Sequence, residues 1–172
     1  MRWSKLRALA LDRFAEPLRG RLDIHSAAYG NCTCGHAWLS FDGDVIANFC
    51  TRAHYIAGGW EAASSDRNRM YKRQLTPFGA LSRQDAYRSC WQLIHELSIE
   101  EALASDDLLT QSLAIADTRV GMRRLQRIDP DALEPLPAFL LLIRLGNDIS
   151  VADFIAARQG SPATEPADFE DA

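Results

Sequence analysis

The sequence predicts an α+β fold: an N-terminal helix, a small antiparallel β-meander of about three strands, and a C-terminal helical bundle. Three observations predict it. Period-two alternation is confined to residues 21–51, where an Asp-Gly pair interrupts it. Helical spacing of apolar residues governs residues 3–18 and most of the chain after residue 82. Strands come early and helices late, which is the order of an α+β chain and not of alternating βαβ units. Apolar residues make up 47% of the 172 residues, enough for a packed core in a chain of one domain's length.

Residues 3–18 read as the first helix, with Trp3, Leu6, Ala10, Phe14 and Leu18 at helical spacing and the Ser4 hydroxyl as its cap. Pro17 and Gly20 stop it. Along residues 21–28, Leu22, Ile24 and Ser26 point one way and Arg21, Asp23 and His25 the other, as in a strand. Residues 36–41 and 45–51 follow as a hairpin around Asp42-Gly43, a turn whose central residues need positive φ. If Phe41 pairs with Asp44, an unbroken register sets Leu39 against Ile46, Trp38 against Ala47 and Ala37 against Asn48. Residues 52–78 read as a loop with a short helix. Ser82 and Asp85 open a long helix at capping-box spacing, and Ser98-Ile99-Glu100-Glu101 opens a short one. Residues 108–128 form a long helix or a pair of helices broken near Gly121, residues 137–145 another, and residues 151–158 a last one. Residues 1–158 are thus one domain, its sheet within 1–58 and its helices within 79–158. Residues 159–172, rich in acid and proline, read as a disordered tail.

The charge is divided. Arg accounts for 17 of the 19 basic residues. Residues 1–128 carry 17 basic and 14 acidic groups, whereas residues 129–172 carry 2 and 9. The net charge of −4 excludes a protein that holds nucleic acid by bulk charge, so nucleic acid is an improbable partner. No apolar h-region follows the basic first residues and no apolar run is long enough for a membrane span, so the expectation is a cytoplasmic protein with no membrane partner, its four cysteines free thiols.

Several strings taken in order carry a resemblance. They are Trp3-Ser4-Lys5-Leu6; Gly20-Arg21 with Ile24-His25-Ser26; Trp38, Asp42-Gly43, Ile46, Asn48-Phe49 and Thr51; and Arg119-Val120-Gly121 with Arg123-Arg124-Leu125. The set resembles a family of small uncharacterised bacterial proteins, some encoded on mobile integron gene cassettes. The resemblance spans residues 3–145. It implies a bacterial cytoplasmic protein and no particular activity.

Most chemical motifs fail on spacing. Cys32-Thr33-Cys34-Gly35-His36 offers soft ligands, but structural zinc takes two ligand pairs and no second pair exists, so no metal and no cofactor is expected. His95-Glu96 would need a second histidine where Ile99 stands. Cys90 falls on an apolar helix face, where a thiol is packing. His25, Asn48 and His54 are candidates for a polar pocket on the sheet.

The arginines are the sharpest signal. On a continuous helix, Arg123, Arg124 and Arg127 continue the stripe of Leu109, Leu113, Ala116 and Val120, with Arg119 beside it. Arginines in line with a core stripe must leave the core, meet a carboxylate such as Asp129 or Asp131, or grip an anion bidentately. Residues 67–73 form a second basic cluster around Tyr71. Two functions fit. One is a binding or adaptor module that offers Arg119, Arg123, Arg124 and Arg127 to a small anion or an anionic partner. The other is a small enzyme on a phosphorylated or carboxylated metabolite, with those arginines as anchor and His25 or His54 as general base. Either is compatible with a homodimer, because an edge strand needs a cover.

Overall fold

The computed structural model describes residues 1–29, 32–48, 74–76 and 82–160. His54, the basic cluster at 67–73, the acidic tail beyond residue 160 and the side chains of Cys32 and Cys34 lie outside the described residues. The architecture is the α+β arrangement that the sequence predicts.

Helix α1 (Trp3–Asp12) is preceded by Arg2 in extended conformation with no side-chain cap, so Ser4 lies inside the first turn and is not the cap. The helix also ends sooner than its periodicity suggests. After Asp12 the chain pairs with residues 116–118: Ala15 N donates to Ala116 O at 2.8 Å, and Thr118 N donates to Arg13 O at 2.8 Å. A short 3-10 turn, Glu16–Leu18, then holds Pro17 where its missing N–H costs nothing.

Strands β1 (Leu22–Tyr29), β2 (Cys32–Phe41) and β3 (Asp44–Asn48) form an antiparallel sheet in the order β1-β2-β3. The Asp42-Gly43 turn has φ of +51° and +88°, as its sequence requires. Phe41 pairs with Asp44 as expected, but a bulge follows: Leu39 pairs with Ala47 and Trp38 with Asn48. The physical reason lies in burial. Ile46 and Ala47 are both fully buried, and only an extra residue in the strand lets two successive side chains face inward. The bulge therefore shifts the expected register by one and moves Asn48 from the inner face to the outer.

The helical part comprises α2 (Arg83–Trp91), continued by a π-helical turn Gln92–Glu96, then α3 (Ile99–Leu103), α4 (Leu108–Ala116), α5 (Met122–Leu125), α6 (Pro135–Arg144) and α7 (Val151–Gly160). Both expected capping boxes are present, Ser82 with Asp85 and Ser98 with Glu101. Helix α4 is buried on nearly every side from Leu109 to Ala116, with Gln111 partly exposed. It packs mainly on α6, whose Phe139 meets Phe41 of β2 edge-on at 5.1 Å. The inner sheet face (Leu22, Ile24, Ala37, Leu39, Phe41, Ile46), α1, α4 and α6 close one apolar core.

Candidate functional site

Residues 108–128 form the pair of helices and not the single long one, with the break ahead of Gly121, at Asp117. Its carboxylate accepts the backbone N–H of Arg119 at 2.8 Å, a local turn that competes with helix. Asp117 is fully buried, and the Arg119 guanidinium answers it through Nε at 3.0 and 3.1 Å and Nη2 at 2.8 Å. Arg119 also reaches Leu93 O, and Arg13 donates to Leu93 O at 2.8 Å. That carbonyl belongs to the π segment, close to the helix end, where carbonyls lack a partner further along the helix. From the other side Arg144, 6% exposed, donates to Ile115 O, Asp117 O and Val120 O at 2.6–2.9 Å. Burial lowers the pKa of Arg144, and Asp117 acts to raise it. Burial and then the nearby Arg119 charge lower that of Arg13, against Asp117. Arg119 is thus built into a knot that joins α1, α2, α4 and α6.

The other three arginines take a different course. With the helix broken at Asp117, Arg123, Arg124 and Arg127 leave the core stripe; Leu125 alone of that short segment points into the core. Arg124 pairs with Glu100 of α3 at 2.9 Å, across an exposed surface. Asp129 and Asp131 do not serve as its partners: the Asp129 carboxylate caps its own 3-10 turn by accepting Asp131 N. Arg123 and Arg127 are exposed, and among the described residues neither has a side-chain hydrogen bond or ion pair. Met122 beside them is 45% exposed.

On the sheet, His25 and Asn48 do come to one face, the outer one. Trp38 stands opposite His25 on one side and Asn48 on the other. The His25 ring stacks on Trp38 at 4.9 Å and 10°, and the His36 ring lies 4.7 Å from Trp38. A 2.7 Å hydrogen bond joins His36 Nε2 and Asn48 Oδ1, and another joins His25 Nε2 and Ser40 Oγ. Sequence reasoning named two of these residues and missed Trp38, His36 and Ser40, although their shared strand phase placed them with His25 once the register was known. Asp23 Oδ2 approaches the same Nε2 of His25 at 3.7 Å and is itself clamped by Arg7 at 2.6 Å. A serine, histidine and carboxylate are therefore close, but the carboxylate is not on the opposite ring nitrogen, where an orienting group must sit. Ser40 is also 7% exposed, closed to a substrate. No described hydrogen bond or ring contact links this cluster to Arg119–Arg127.

A family model describing the SF0329 protein family matches residues 2–145, most of the chain, including the arginine knot and the sheet cluster. The chain belongs to the SF0329 protein family. The match stops at Leu145, directly after α6, so the family pattern covers the sheet, the arginine knot and the α5 ridge but not α7. No curated protein and no solved structure matches the chain significantly. Among the described residues, no helix is long and apolar enough to cross a membrane.

Proposed function

We propose that this member of the SF0329 family is a bacterial, cytoplasmic binding module that takes an acidic protein surface on its Met122–Arg127 ridge. The bacterial and cytoplasmic setting rests on the sequence resemblance. The binding reading rests on how the arginines are used. Arg7, Arg13, Arg21, Arg119, Arg144 and Arg158 are each tied to a carboxylate or backbone carbonyl. Arg123 and Arg127 are not, and they flank buried Leu125, Arg123 on α5 and Arg127 in the turn that follows it. Exposed Met122 adds an apolar contact, which suits a protein surface better than a free ion. The alternative, an enzyme that pairs these arginines with His25, needs one pocket holding both, and no described contact joins them.

A glutamate-rich peptide titrated into the labelled protein should shift resonances of residues 121–128, with affinity falling steeply as salt rises. The double variant Arg123→Glu/Arg127→Glu should abolish those shifts and leave the melting temperature in place. Unchanged binding by the double variant removes this reading. Light scattering on the free protein reports whether the acidic partner is a second copy of the chain.

A further inference from the structure

We propose that the cleft between α1, β1 and α2 is a binding site for a small planar carboxylate. The cleft measures about 230 Å³ and is lined by Trp3, Ser26, Arg83, Gln84 and Tyr87. It shares no residue with the Met122–Arg127 ridge and does not depend on that reading. Half-buried Arg83, at the first position of α2, uses one donor: its Nε donates to Ser26 Oγ at 2.8 Å. An arginine has five N–H donors, and among the described residues the two Nη groups of Arg83 have no acceptor. That bond fixes the guanidinium plane and leaves its Nη edge, the fork that matches two carboxylate oxygens.

The walls select the rest of the ligand. Trp3 and Tyr87 lie with ring centroids 6.4 Å apart. Tyr87 is held in place, stacked on Trp91 at 6.3 Å and 10° and donating its hydroxyl to Met1 O at 2.9 Å. Two positioned aromatic rings beside a free guanidinium edge suit a flat apolar body that ends in a carboxylate. The volume falls below the roughly 300–1,000 Å³ of sites for drug-sized ligands, so the body is about one ring.

Benzoate is the probe, titrated into the full-length labelled protein while the indole N–H of Trp3 is followed by NMR. Saturable shifts of Trp3 are expected, with a Kd of ~0.1–1 mM for so small a ligand. Cyclohexanecarboxylate, with the same charge but no flat ring, and inorganic phosphate should bind more weakly. Arg83→Gln should weaken benzoate about tenfold or more, the loss of a charged hydrogen-bond pair. Arg83→Lys keeps the charge and the helix position but lacks the fork, and should also bind weakly; it carries the test if Arg83→Gln unfolds. The proposal falls if Trp3 shows no saturable shift, if the folded Arg83 variants bind as the parent does, or if phosphate binds as tightly as benzoate.

Discussion

Arg144 shows what most of the described arginines do. It sits almost fully enclosed and donates to three carbonyls at the end of α4 and in the turn after it, of which that of Asp117 also accepts Val120 N at 3.2 Å. Among the described residues no carboxylate is in direct contact, so the cost of burying the charge is offset by a fan of hydrogen bonds in fixed geometry. Arg144→Met should therefore destabilise by about 3 kcal/mol, because buried carbonyls are left without donors. Arg144→Lys should recover little, since a point charge cannot serve three acceptors spread along the chain. Arg124→Met is the contrast: its pair with Glu100 is open to solvent, and its loss should leave the urea midpoint nearly unchanged. Urea denaturation with an unchanged slope reads all three. Cys90 is another enclosed group. Burial pushes its thiol up to about 12, as fits packing and not reactivity.

At the scale of elements, local signals and tertiary ones separate. The Asp42-Gly43 turn and the boxes at Ser82 and Ser98 were readable because each is completed within four residues. The bulge at Ile46 was not, because it answers the core's demand for two adjacent apolar side chains. The early stop of α1 and the break at Asp117 share the pairing of residues 13–15 with 116–118, to which a helical wheel is blind, and at Asp117 the side chain adds a local turn by accepting Arg119 N. The same break took Arg123 and Arg127 off the core stripe on which their periodicity had placed them. Arg83 gave no signal, since its Ser26 contact lies 57 residues away. The start of α4 offers a test of a local signal. Asp107 caps it by accepting Thr110 N at 2.7 Å and also accepts the Ser89 hydroxyl at 2.9 Å. Burial pushes the Asp107 carboxyl up, but the bonds from Thr110 and Ser89 and the Arg88 charge outweigh it and hold the carboxyl below its usual value. A depressed folded-state pKa stabilises fully above the unfolded value of about 3.9 and loses that stability as pH falls through the folded value. Asp107→Asn keeps a capping acceptor without the charge. It should be less stable by ~1 kcal/mol at pH 7, and the gap should close below about pH 4 in parallel denaturation curves.

Across the whole molecule, the division between a basic body and an acidic end acquires a direction. Asp129 is occupied with its own turn, and Arg158, on the acidic side, holds α7 by the carbonyls of Pro130 and Leu133. Among the described residues the charges of Arg123 and Arg127 therefore go unanswered by the acids nearest them in sequence. Residues 161–172 add four more acidic groups to the same chain. If the ridge takes an acidic partner as proposed, acidic groups tethered to the same chain compete with that partner. Removing residues 161–172 should then tighten the glutamate-rich peptide several-fold at low salt. The gain should vanish near 1 M salt, where the screening length shrinks to about 3 Å. It should also be absent when Arg123 and Arg127 are reversed, because there is then no cationic ridge for tail and peptide to share. Equal affinity of the truncated and full-length chains at low salt would separate the two charges for good, leaving the tail without a role at this ridge.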